Sequence, residues 1–231
     1  QYSLNYTNNI DDKGQKLIIN AQYSQNENDE AANITNNSTL VETNTTKSNS
    51  KNTLLQLDYV LPLGEKSQLE FGHKADLQKS NSNFIVNNVT NDPNFFDASN
   101  SLDFNQNVYA FYTQYGRKSD KFSYLLGLRA EITDIDLTLV NTNETSKKNY
   151  TEWFPTVNFG YEINDTDNLT LGYSRRLRRP RSWFLNPFES RNSDTYIFKG
   201  NPDLDPTFTN SLDLGYTTRI SKLTLNCYRT S

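Results

Sequence analysis

The sequence has few of the residues that staple, ligate or kink a chain. Of its 231 residues one is cysteine, one is histidine, none is methionine, and glycine and proline number nine and seven. Cys227 on its own excludes an intrachain disulfide and a zinc site built from cysteines. His73 as the single imidazole removes most histidine-based catalysis and leaves metal binding to carboxylates. Only 34% of the residues are apolar, and no run approaches the ~18 apolar residues of a membrane-spanning helix. A helical membrane protein is therefore excluded. The net charge of −4 offers no basic footprint for nucleic acid. Gln1, Tyr2 and Leu4 begin neither a cationic nor an apolar leader segment. The expectation is that a leader has been cleaved, or that the chain is a piece of something longer.

Aromatic residues, in contrast, reach 13%, with 14 Tyr and 13 Phe, which argues against disorder in so polar a chain. Asparagine, serine, threonine and aspartate supply the turns and loops. Segments of about ten residues alternate apolar and polar and come in pairs, with no helical period. Ten strands are expected, near 2–6, 15–24, 54–61, 68–77, 108–116, 122–140, 153–163, 169–176, 211–218 and 223–228. Short connections such as Pro62 to Lys66 and Asn164 to Asp167 alternate with long ones near 26–49, 81–103, 141–148 and 180–207. A further turn is expected near Ile220 and Ser221.

Successive strand residues point to opposite faces. One face then carries Leu57, Phe71, Phe111, Leu126, Leu128, Phe159, Leu171 and Leu214 with their apolar neighbours, and no Asp, Glu, Lys or Arg. The other carries Glu70, Lys74, Asp76, Arg129, Glu131 and Arg176, with apolar exceptions at Val108, Leu125 and Phe154. A soluble sandwich would turn the apolar face inward, whereas a membrane barrel turns it outward against lipid. Three features favour the barrel: aromatics near strand ends, alternating loop lengths, and a face free of formal charge. On a lipid face a mid-bilayer charge costs ~2–4 kcal/mol. The first set is then lipid-facing and the second lumen-facing. After Ile132 the pattern changes phase, so that Ile135, Leu137 and Leu139 fall on the polar face. Either the strand leaves the bilayer there or a β-bulge sits at Thr133. Gly72, Gly127, Gly160, Gly172 and Gly215 share the inward face, marking close packing in the lumen or strong curvature.

From Tyr150 onward the ordered run Trp153-Phe154-Pro155-Thr156-Val157-Asn158, Leu169 to Arg176, Arg179-Pro180, Leu185-Asn186-Pro187-Phe188, Gly200 to Pro206 and Thr209 to Tyr216 resembles a known family. It is similar to the C-terminal barrel of the TonB-dependent receptor superfamily, closest to its Bacteroidetes-type outer-membrane β-barrel family. The resemblance lies at 150–216; residues 1–149 add a compatible pattern. It implies an all-β, antiparallel transmembrane barrel in the bacterial outer membrane. The ten strands would then be a section of a 22-stranded barrel, with residues 1–231 part of one barrel domain and no plug domain in this stretch. It also implies import of a solute, with outer-membrane lipid or lipopolysaccharide, a plug domain, TonB and surface lipoproteins or other complex subunits as partners, no cofactor and no nucleic acid. The alternative is a non-transporting structural barrel subunit of an outer-membrane secretion or biogenesis complex.

Arg175, Arg176, Arg178, Arg179 and Arg181 form a cationic cluster at the outer end of one strand. It would contact lipopolysaccharide or an anionic substrate, or pair with loop carboxylates such as Glu189 and Asp194. No enzyme is expected: His73 lies on the apolar face between Phe71 and Ala75, away from any nucleophile. The carboxylate pairs Asp11/Asp12, Asp134/Asp136 and Asp203/Asp205 read as turn and solvation residues rather than calcium ligands.

Overall fold

The computed structural model describes residues 1–36, 38–90, 97–193, 196–218 and 222–230. Ten strands form one antiparallel sheet: β1 Tyr2–Asn9, β2 Lys16–Asn36, β3 Thr39–Pro62, β4 Ser67–Asn88, β5 Asn100–Lys118, β6 Phe122–Leu139, β7 Glu144–Glu162, β8 Asn168–Arg178, β11 Thr207–Thr217 and β12 Lys222–Thr230. They are ordered as in the sequence, except that the connection from β8 to β11 carries a short helix, α1 Ser182–Leu185, and a separate hairpin, β9 Glu189–Ser193 with β10 Tyr196–Lys199. Within this sheet each strand pairs antiparallel with its predecessor in the order given, an up-and-down arrangement. The sheet is not closed; β1 and β12 are its edges. Among the described residues no helix is long and apolar enough to cross a membrane.

The short connections are held by side chains suited to tight reversal. Asp11 Oδ1 accepts hydrogen bonds from the backbone N–H of Lys13 at 3.0 Å and of Gln15 at 2.8 Å. Asn164 Oδ1 accepts from the N–H of Thr166 and of Asp167, both at 2.9 Å. In the same turn Asn164, Thr218 and Tyr216 donate to Asp167, which holds its carboxyl below the ordinary aspartate range. The turn expected near Ile220 lies outside the described residues.

The long connections depart from expectation. Most of 26–49 is strand, because β2 runs to Asn36 and β3 starts at Thr39. Likewise β4 continues to Asn88, β5 starts at Asn100 and β7 at Glu144, so the stretches at 81–103 and 141–148 are largely ladder too. Residues 91–96 of the former lie outside the described residues. Weak β propensity in these Asn- and Ser-rich stretches is overridden by pairing to a formed neighbour and by polar cross-strand contacts. Examples are Ser101 Oγ to Asn83 Oδ1 at 2.8 Å and Thr138 to Thr145 at 3.2 Å. β8 ends at Arg178, just before Arg179-Pro180, where proline has no N–H to continue the ladder.

The register runs without a shift through Thr133, which pairs with Val108 on one side and Tyr150 on the other. The phase change in β6 is therefore a change of chemistry along an unbroken strand, not a bulge.

Candidate functional site

The pairings put each candidate residue that lies within a strand on a definite face. Opposite partners share a face, so Leu57, His73, Phe111, Ala130 and Trp153 form one cross-strand row, and Tyr59, Phe71, Thr113, Leu128 and Pro155 the next. Leu126, Phe159, Leu171 and Leu214 belong to the same face. Its large apolar side chains stand exposed: 43% at Leu57, 55% at Phe111 and 49% at Phe159. Among the described residues no second sheet covers them. On the reverse face Ala110 and Thr133 are fully buried, and Val108 and Phe154 nearly so. The usual arrangement is thus inverted along β5 to β7, with the large uncharged side chains open and the reverse face covered around Val108, Ala110, Glu131, Thr133 and Phe154.

Glu70, Lys74, Asp76, Arg129 and Glu131 share that covered side by register. Two polar assemblies organise it. In the first, Tyr112 of β5 lies across Gly72 of β4 and donates its hydroxyl to Asp58 of β3. Gln56 Nε2 donates to Asp58 at 2.8 Å and to Tyr112 Oη at 3.2 Å. A Cβ on Gly72 would stand 2.6 Å from the Tyr112 ring, so only glycine fits beneath it. The glycines at 160, 172 and 215 similarly face Ser123, Asn158 and Thr170 side chains on neighbouring strands. Close approach here comes from cross-strand side chains, a third possibility beside lumenal packing and curvature.

The second assembly lies further along β6. Arg129 Nε donates to Glu131 Oε1 at 2.7 Å, and its guanidinium stands 5.3 Å from the centre of the Tyr112 ring. Arg179, just after β8, donates through Nη2 to Glu131 Oε2 at 2.5 Å and to Thr133 Oγ1 at 2.8 Å. One buried carboxylate is thus held by two guanidiniums, one from the wall and one from the loop. Lys74 and Asp76 make a separate pair at 3.4 Å. Beyond Glu131 the same face turns apolar, and Leu185 of α1 is seated on Leu102, Phe104, Ile135, Leu137 and Leu139, with Tyr150 and Phe188 beside them. The residues that change phase in β6 are the seat of a loop.

That loop is rigidly built. Gly200 donates its N–H to the Asn186 carbonyl at 2.8 Å, and any Cβ there would meet the carbonyls of Phe184 and Asn186. Asn201 Oδ1 accepts from the N–H of Asp203 at 2.9 Å, in a turn before β11. Lys148 Nζ bridges to the Leu204 carbonyl at 2.8 Å and to Asp205 at 3.1 Å. At the other end β9 comes within 8 Å of β2 between Cα atoms.

The arginine cluster divides. Arg179 is the tether just described. Arg175 pairs with Glu152 at 3.1 Å, donates to the Trp153 carbonyl at 3.2 Å and lies 4.5 Å from the centre of the Phe208 ring. The β7–β8 ladder stops at Thr156 and Ser174, next to Pro155, and beyond that end Arg175 supplies a donor to the carbonyl of Trp153, which keeps its partner Ala130 in β6. Both partner carboxylates belong to strands; Glu189 pairs instead with Lys199 at 3.7 Å, and Asp194 lies outside the described residues. Arg176, Arg178 and Arg181 are exposed. Tyr112, Leu185 and the β5–β6 seat were missed as functional positions by sequence reasoning. The phase change after Ile132 was the signal of the seat, Leu185 stood only within the run that resembles a known family, and nothing marked Tyr112.

The fold matches solved outer-membrane transporters. The ferric citrate transporter FecA in its unliganded form superposes with a TM-score of 0.74 at 12% identity, covering 99% of this chain and 34% of FecA. The copper transporter OprC gives 0.72 at 14%, covering 99% and 38%. The ferric yersiniabactin uptake receptor FyuA from Yersinia pestis gives 0.64 at 13%, covering 99% and 34%. The chain spans about a third of the length of these structures. No curated protein matches the sequence. A family model, described as the outer membrane protein beta-barrel family, matches residues 8–231. With a ten-stranded up-and-down sheet, an exposed uncharged face and a match over nearly its whole length, the chain belongs to the outer membrane protein beta-barrel family and to the bacterial outer membrane.

Proposed function

We propose that the chain is a section of the barrel wall of a TonB-dependent importer of the Bacteroidetes type, and that residues 1–231 are part of one barrel domain. The observation that carries this reading is the inverted burial: exposed large apolar side chains on one face, a partly covered ionic and hydrogen-bonded face centred on Glu131 on the other. In hydrocarbon the first face loses no solvation of charge, and each large apolar side chain there contributes on the order of 1.5–3 kcal/mol of transfer from water. Leu57, Phe71, Phe111, Leu126, Leu128, Phe159, Leu171 and Leu214 are its lipid contacts. Unpaired edges at β1 and β12 are untenable in a bilayer, so further strands complete the barrel.

The second face lines the lumen. Glu70, Lys74, Asp76, Arg129, Glu131 and Arg176 face a plug domain or the solute path, and the loop from Arg179 to Pro206 narrows the mouth. Energy comes through TonB, and surface lipoproteins deliver solute to the long-loop end. No role in bond chemistry is assigned to any residue.

The test is solute uptake by the intact gene product. Deletion of the gene and deletion of TonB should abolish growth on the same limiting nutrient. Growth unchanged by either deletion, with loss of a surface-exposed assembly instead, would replace import by a structural barrel subunit.

A further inference from the structure

Two lysines stand directly opposite each other on the uncharged face's own phase. Lys51 of β3 is the register partner of Lys79 of β4, and both are exposed. Directly before them in that phase come Thr53 opposite Leu77, then Leu55 opposite Ala75. Each lysine is ten residues along its strand from the Leu61–Leu69 pair near the short-turn end. At ~3.4 Å per residue and a tilt of ~40°, that is a height of ~26 Å, matching an apolar band ~25 Å tall. The pair therefore marks the upper edge of the band, where lipid chains give way to headgroups.

Like charges opposite each other destabilise a strand pair. A carboxylate would relieve them, yet the nearby ones are engaged elsewhere. Glu27 accepts from Gln25 Nε2 at 3.0 Å and from Asn49 Nδ2 at 3.3 Å. Asp103 accepts from Asn81 Nδ2 at 2.5 Å, and Asp136 pairs with Lys147 at 3.6 Å. Asp29 stands opposite Lys47, two positions further out in the same phase. Among the described residues no ion pair reaches Lys51 or Lys79. Gln25 and Asn105 flank the two lysines in the same cross-strand row.

We propose that Lys51 and Lys79 hold the phosphate of a phosphorylated glycolipid of the outer leaflet. Its acyl chains run down the rows of Leu55, Leu57 and Leu77, and the Gln25 and Asn105 amides meet headgroup hydroxyls. The bound phosphate neutralises a repulsion that the protein itself leaves standing. This site goes beyond import and rests on the apolar face lying in lipid.

Native mass spectrometry of the delipidated full-length protein in detergent tests it, with bisphosphorylated lipid A, dephosphorylated lipid A and inorganic phosphate as probes. Wild type should prefer the bisphosphorylated form by ~10-fold or more, the scale of two lysines at an anionic surface. The double variant Lys51→Gln, Lys79→Gln should lose that preference, and excess inorganic phosphate should not displace the lipid. In Lys51→Glu, attraction replaces repulsion, so the thermal unfolding midpoint should rise while the preference disappears. Equal binding of both lipid A forms to wild type, a preference retained by the double variant, displacement by inorganic phosphate, or a lowered midpoint in Lys51→Glu would each overturn the site. Failure of both lipid A forms to bind would overturn the lipid-facing reading as well, which separates the two claims.

Discussion

Gly72 lacks a side chain because the Tyr112 ring occupies that volume, and the ring is there because its hydroxyl reaches Asp58 two strands away. One residue thus links three strands through a contact that ladder hydrogen bonds do not supply. Gly72→Ala forces the ring off its seat and parts the hydroxyl from Asp58, at a cost of about 1–3 kcal/mol for overpacking. Urea unfolding of the folded protein in detergent should show that loss, whereas Gly127→Ala, where the added Cβ meets its nearest neighbour at 3.5 Å, should be nearly neutral. The inward placement of both glycines is legible in the alternating pattern. The difference between them is not, because it depends on which rotamer a tyrosine one strand away adopts.

At the scale of elements, strand existence was readable and strand length was not. All ten expected strands are present, since the period-2 alternation required by one apolar face is strong between 54 and 176. Outside the apolar band both faces meet polar surroundings, alternation disappears, and nothing in residues such as Asn26 to Asn49 distinguishes a paired strand from a loop. The β8–β11 connection illustrates the opposite limit. Its docking depends on Leu185 meeting Ile135 and Leu137, partners about fifty residues away that are visible in sequence only as an unexplained run on the wrong face. Leu185→Ala should leave the ten-stranded sheet intact while loosening the loop. The expected loss is on the order of 2–5 kcal/mol of local docking. Limited proteolysis between 186 and 206 should then run much faster than in wild type, and Arg179→Ala should have the same effect by stranding Glu131 with a single guanidinium. Cleavage at an unchanged rate in both variants would mean that the loop is held by something else.

At the scale of the whole molecule the account separates two faces that differ in what they tolerate. Leu126→Glu and Phe159→Glu place a carboxylate in the apolar band, whereas Gln68→Glu adds the same charge to the reverse face. The first two should prevent assembly, seen as loss of the heat-modifiable folded band in gels of outer membranes, and the third should assemble normally. A soluble sandwich was the competing architecture for the same alternation. The sequence distinguished the two through the missing charges, the aromatics near strand ends and the alternating loop lengths, because periodicity is identical whichever side the core lies on.

The most direct measurement is a spin-label scan along β6, one cysteine at a time from Tyr124 to Ile132, with Cys227 replaced by serine and the full-length protein in lipid vesicles. Labels at 124, 126, 128, 130 and 132 should be relaxed by oxygen, which partitions into hydrocarbon, while labels at 125, 127, 129 and 131 should not. Oxygen accessibility that is uniform along the strand, or highest at the odd positions, would contradict the account.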